Sequence, residues 1–237
     1  MQSIETRREE PAEGGKRTGQ GRLPKDWRLK LFETVKGRKQ TKPSRLPEAV
    51  AALWVTGCRP AELEAGITYM AHNGQLVVKI AGAKHGKIDN GETVADRGMA
   101  WRTLALDPDL HPGARYLYDL VLSEKLPRVL SYNKNSIRSR INEAGREVLA
   151  KLKDAPSLSP YSFRHAMASD LKSCDTLTDE QRAQVMGHLS VESLESYGRR
   201  RRGGGGVSPV AKVQTSVQPH GKLSHAPPVK MGLKKRT

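Results

Sequence analysis

Four residues whose side chains suit phosphoryl chemistry are set in three short segments: Arg59 in TGCRPAEL, Arg164 in YSFRHAMASDL, and His188 with Tyr197 in MGHLSVESLESYGRR. Two guanidiniums offer permanently charged, planar, bidentate donors to phosphoryl oxygens, where negative charge spreads in the transition state of phosphodiester transfer. A tyrosine can hold the phosphoryl group as a covalent ester, so that a cut strand is rejoined without ATP. Its phenol, with a reference pKa of about 10, needs a base or strongly cationic surroundings to attack near neutral pH.

The local sequence says how each group is placed. Gly57 permits a turn, Pro60 keeps Arg59 out of helical backbone, and Pro60 itself suits the first turn of the helix that follows. Arg59 therefore stands at a helix entrance, where unpaired backbone donors add to its own attraction for a phosphate. Glu62, three residues on, can bond back to Arg59 or favour the first turn. Pro160 opens a second helix, on which Tyr161, Arg164, His165 and Ala168 share one face while Phe163, Met167 and Leu171 turn to the core. His188 and Tyr197 would point to opposite sides of one unbroken helix. The sequence instead predicts a helix begun by Thr178 and Asp179 and closed by Gly187 and His188, then a short one capped by Ser190 that ends at Tyr197 and Gly198.

Around these segments the periodicity is mostly helical. Trp27, Leu31, Phe32 and Val35 recur at helical spacing after Pro24, and Leu46 to Val55 is a strongly apolar helix in which Pro47 suits the first turn. Ile137, Ile141, Ala144, Val148 and Leu152 form one stripe of a helix that carries Arg138, Arg140, Arg146 and Lys151 on its other faces. Gln75 to Ala81 and Trp101 to Leu106 read as strands separated by a long polar loop. The expected fold class is α+β, mainly α-helical with a small sheet. No internal repeat is visible. Residues 1–22 are expected to be a disordered arm, 23–45 a short helix and basic linker, 46–198 the folded domain, and 199–237 a disordered basic tail.

The formal net charge is +16 over 237 residues, which points to an anionic partner, most often nucleic acid. Its distribution is uneven: residues 1–48 hold 13 basic against 7 acidic side chains, 199–237 hold 10 against none, and 49–198 balance at 18 each. The ends carry the whole excess and suit sequence-blind, salt-dependent contact with phosphates. No apolar run of the ~20 residues needed to span a membrane occurs. MQSIETRREEPAEGG mixes both signs of charge and does not resemble a secretory signal, so a cytoplasmic location is expected. Cys58 and Cys174 have no metal-type spacing, and no metal site is expected. Two phenylalanines and the lack of an RGFGF-like stretch disfavour an RNA-stacking platform.

The order of these motifs over about residues 46–198 resembles the tyrosine recombinase or phage integrase family: Arg in TGxRxxEL, Arg followed by His, then GH, then Tyr nine residues after that His. The resemblance implies that domain's fold, with a small antiparallel sheet. It also implies that Arg59 and Arg164 clamp the scissile phosphate, that His188 hydrogen-bonds it, and that Tyr197 attacks to give a 3′-phosphotyrosyl link. Glu62 would support the first arginine. A hairpin lysine would protonate the leaving 5′ oxygen; Lys84 in AGAKHGK matches best, with Lys87 its rival. The implied partner is double-stranded DNA, bound by a homo-oligomer without metal or nucleotide cofactor. Arg138, Arg140 and the run Arg199, Arg200, Arg201 and Arg202 are the expected backbone contacts.

Two departures from the family pattern bear on function. Tyr161 stands where the family commonly has a histidine, so Tyr161 and His165 are supporting candidates whose part in proton transfer is open. A stretch of about 45 residues, rich in Lys and Arg and with one short helix, precedes the catalytic segment, too little for the separate DNA-clamping domain that these enzymes usually carry, so the expectation is a minimal form, a fragment, or a subunit that relies on a separate clamping partner. The alternative function is a DNA-binding accessory protein on a degenerate recombinase scaffold. A type IB topoisomerase shares the same transesterification logic.

Overall fold

A computed structural model of the protein describes residues 23–39, 44–83, 88–89, 92–93, 98–124, 126–197 and 208–221. They form an α+β fold built around one apolar helix. Helix α1 is Trp27–Gly37, α2 is Leu46–Thr56 and α3 is Pro60–Ala65. After α3 come strands β1 (Ile67–His72), β2 (Gln75–Ala81), the two-residue pair β3 (Ile88–Asp89) and β4 (Glu92–Thr93), and β5 (Trp101–Leu106). Helix α4 (Pro112–Glu124), strand β6 (Arg128–Leu130) and helices α5 (Lys134–Val148), α6 (Pro160–Ser173) and α7 (Asp179–Met186) follow, and β7 (Val210–Thr215) comes last.

Helix α2 is buried on nearly every side, as LPEAVAALWVT dictates: it has no polar face to offer water, so it must be surrounded. Helices α1, α4, α5 and α6 pack around it. The sheet has the order β6-β1-β2-β5-β7, antiparallel at every step. Strands β1 and β2 meet through Asn73 and Gly74, whose φ values of 47° and 75° are the left-handed pair that a two-residue hairpin turn needs. Leu76, Val78 and Ile80 of β2 face inward, as do Leu104 and Leu106 of β5.

The sequence reading gave two of the sheet's strands, β2 and β5; β1, β6 and β7 are additions. The expectation of a disordered tail from residue 199 is corrected at 208–221, since Val210–Thr215 pairs along β5 from Arg102↔Thr215 to Leu106↔Val210. Further on, His220 exchanges backbone bonds of 2.9 Å with Leu189 and Val191. The start of the folded domain also moves. Trp27, Leu31, Phe32 and Val35 of α1 are all buried, and the Trp27 ring lies 4.8 Å from that of Phe163. A helix read as an appendage is therefore part of the core. Trp27→Ala is expected to cost roughly 3–5 kcal/mol, the range for emptying an aromatic core position. Urea melts check this: one cooperative transition should shift to lower denaturant, whereas a detachable α1 would leave the midpoint in place.

Among the described residues no helix is long and apolar enough to cross a membrane, and no group of three or more His, Cys, Asp or Glu is placed to hold a metal ion.

Candidate active site

The turn after α2 carries the first candidate. Arg59 is extended, with φ −73° and ψ 150°, and stands immediately before α3. Pro60 enforces that geometry from the sequence. Glu62 closes the turn: its Oε2 accepts the Arg59 backbone N–H at 2.8 Å and its Oε1 accepts Arg59 Nη1 at 2.6 Å. Both roles that the sequence offered Glu62 are thus filled at once. The carboxylate is fully buried. Burial would raise its pKa, but the charges of Arg102, Arg59 and Arg164 outweigh that and hold it down at about 2.

Arg164 rises from α6 beneath the same turn. Its Nη1 donates to the Gly57 carbonyl and its Nη2 to that of Met186, both at 2.7 Å. These two carbonyls end α2 and α7, so a single guanidinium ties the Arg59 turn to the His188 turn. Burial, then the charges of Arg59 and Arg102, lower the Arg164 pKa to about 10, which leaves it charged at neutral pH.

Helix α7 is capped by the Thr178 hydroxyl, which accepts the Gln181 N–H. It stops at Gly187, whose φ of 66° is left-handed. This reversal turns His188 inward, with its Nε2 2.8 Å from Arg164 Nη2. An arginine can only donate, so Nε2 accepts and the imidazole proton resides on Nδ1. That atom is buried without a hydrogen-bond partner. Burial and the surrounding Arg164, Arg59 and Arg102 charges push the His188 pKa down to about 2, so the ring is neutral. A neutral imidazole with an unused, buried N–H is a donor awaiting an acceptor.

Tyr197 follows a 3-10 turn at Val191–Leu194, where Ser190 accepts the Glu192 N–H as an N-cap. Its ring lies 5.2 Å from His188 in a stacked arrangement and 5.2 Å from His165 at 42°. The Arg164 guanidinium carbon sits 5.0 Å from the ring centre. Lys172 Nζ donates to the Tyr197 carbonyl at 2.6 Å and holds the backbone there. His165, half-buried, has its pKa lowered by burial and by Arg164.

Arg59, Glu62, Arg164, His165, His188 and Tyr197 therefore converge. Tyr161 is 46% exposed on the first turn of α6, while Arg164, three residues on, is wholly buried. Arg138 and Arg140 are exposed on α5, as a helix with one apolar stripe requires. Lys84, Lys87 and Arg199 to Arg202 lie outside the described residues; the lysines fall in the segment joining β2 to β5.

One member of the cluster was not anticipated. Arg102 of β5 is 1% exposed, and its Nη2 donates to Glu62 Oε2 at 2.9 Å. The signal was present in WRTLAL: alternation puts residues 102, 104 and 106 on one face, so if the two leucines face the core the arginine must too. An inward arginine needs a buried counter-charge. The cluster thus brings three guanidiniums around one carboxylate and a neutral imidazole, a net positive group beside a phenol. No protein-family model, curated protein or solved structure matches this chain.

Proposed function

We propose that this protein is a tyrosine-type DNA strand transferase, a site-specific recombinase or integrase of a mobile element that works as a homo-oligomer on double-stranded DNA. The observation that carries the reading is the meeting of Arg59, Arg164, His188 and Tyr197, from three distant segments, with the phenol ring against both Arg164 and His188.

The chemistry follows from what each group can do. The Arg59 and Arg164 charges hold the scissile phosphate and offset the charge that builds on its oxygens. His188 Nδ1–H donates to one of those oxygens. The Tyr197 oxygen forms a bond to phosphorus as the bond to the 5′ oxygen breaks, giving a 3′-phosphotyrosyl ester and a 5′ hydroxyl. The leaving oxygen takes a proton, a role for which the family resemblance supplies Lys84. The phenol proton goes to an imidazole: His188 Nε2 already accepts from Arg164, so His165, which flanks the ring, is the acceptor at hand. Reversal with the 5′ hydroxyl of another strand restores the phenol. Exposed Arg138 and Arg140, with the basic ends of the chain, add sequence-independent affinity.

The test is a suicide-substrate assay, with nicked duplexes from the ends of the protein's own element resolved on a denaturing gel. A covalent protein–DNA band is expected. DNA binding without any such band, across the end sequences, overturns the reading in favour of an accessory DNA-binding role on the same scaffold.

A further inference from the structure

We infer that Arg102 is a positioning residue for this site: it neutralises Glu62 so that the charge of Arg59 stays available to the phosphate. The inference rests on the strand-transfer reading for its chemical meaning, and on the geometry alone for the arrangement itself.

Glu62 receives three donors, two from Arg59 and one from Arg102, with the Arg59 backbone and Arg102 Nη2 sharing Oε2. A buried Arg59–Glu62 pair alone would be neutral, and its guanidinium would be spent on its own support. With Arg102 on the second oxygen the triad keeps one net positive charge, and Arg164 adds another. Among buried groups that difference is screened less than it would be at the surface. Arg102 also fixes the direction of Arg59. It adds a third donor, on Oε2, to a carboxylate whose two oxygens Arg59 already engages, and so stiffens the carboxylate and with it Arg59 Nη1.

Arg102 is itself held. It sits on the inward face of a central strand, opposite Ile80 on one side and Thr215 on the other. Beneath it lies Gly187, where an added Cβ would come within 2.7 Å of Arg102 Nη1 and 3.2 Å of Cζ. The left-handed φ favours glycine there, and a Cβ would in addition have to displace the guanidinium packed on it. Because Gly187 precedes His188, the Arg102 side chain links β5 to both the Arg59 turn and the His188 turn.

The test combines Arg102→Gln and Arg102→Lys with Arg59→Ala in the full-length protein. The rate of covalent-complex formation is measured at saturating nicked DNA, alongside DNA affinity and thermal unfolding. Arg102→Gln is expected to slow cleavage about 100-fold, the scale for losing one preorganised cationic group, with DNA affinity changed less than about threefold. Arg102→Lys should recover part of that loss. In the Arg59→Ala background the further effect of Arg102→Gln should fall below about twofold, because a residue acting through Arg59 has nothing left to position. Equal losses in both backgrounds, or no loss in either, overturn the inference. Should the glutamine variant not fold, Arg102→Lys serves in the same cycle with the same criterion. A wild-type protein that forms no covalent complex defeats the strand-transfer reading instead. The positioning role is then read from the Arg59 guanidinium NMR signals, which should broaden or shift in Arg102→Gln; unchanged signals overturn it.

Discussion

Tyr197→Phe is expected to abolish the covalent protein–DNA complex while leaving DNA affinity and thermal stability close to wild type. The substitution removes only the phenolic oxygen. The ring stays to stack on His188, to face His165 and to lie against the Arg164 guanidinium, and the Tyr197 backbone keeps its bond from Lys172. Packing is therefore preserved, and a surface change without a lost buried partner is usually within about 0.5 kcal/mol. Catalysis has no such margin, because the nucleophile itself is gone and no neighbouring group can form the same ester. Single-turnover cleavage should fall below detection, far beyond the roughly 100- to 1000-fold expected for losing one oxyanion donor. A variant that still forms the covalent band would transfer the nucleophile role to another residue. One that loses DNA binding in parallel would mean that Tyr197 is a surface anchor.

The elements that the sequence yields most directly are those whose burial imposes a pattern. Helix α2 is apolar throughout, and α5 carries one stripe of Ile137, Ile141 and Ala144 that the structure buries completely. The limits of α7 follow from Thr178 and Gly187, because capping is local chemistry. What escaped is what burial does not mark. Strand β7 is paired on one side only and mostly exposed, so VAKVQT has no face that must be apolar. Strand β6 has three residues, too few for a period. Strand β1 was legible after all, from the Asn73–Gly74 turn with Ile67 and Tyr69 alternating inward. Helix α1 was found but set outside the core. An amphipathic stripe has to be covered by something, and here it lies on α2 and α5.

The site divides in the same way. Arg59, Glu62, Arg164, His188 and Tyr197 lie in contiguous motifs whose caps and turns state their own geometry, and the fold brings them together. Tyr161 and Arg164 differ in depth, because helical spacing fixes direction alone. Arg164 is drawn under the turn by the Gly57 and Met186 carbonyls, while the first turn of α6 stays at the surface. Arg102 sits in no motif: alternation in WRTLAL turns it inward, but its meeting with Glu62 is a long-range contact that a single strand does not contain.

The buried charges also set how the protein responds to acid. Among the described residues Glu62 is the carboxylate that faces Arg59, Arg102 and Arg164, and Glu62→Gln removes that counter-charge. Removing one partner from a buried ionic cluster costs roughly 3–5 kcal/mol, which for a protein of this size lowers Tm by about 6–20 °C. The pH dependence gives an independent route to the same quantity. The folded-state pKa of Glu62 lies below its ordinary value of 4.5, at about 2. Its stabilisation is therefore complete above pH 4.5 and is lost as pH falls from there through 2, a span worth about 3 kcal/mol. His188 acts in the same direction over a higher range. Its folded pKa lies far below 6.5, so the unfolded chain gains a proton first and stability begins to decline below pH 6.5. Urea melts of the wild type should thus weaken in two stages on acidification, from about pH 6.5 and again from about pH 4.5. The difference between wild type and Glu62→Gln should be constant from neutral pH down to about 4.5 and then close as Glu62 itself takes up a proton. A gap below about 1 kcal/mol at neutral pH, or one that does not narrow in acid, would show that Glu62 is not the counter-ion of the arginine cluster.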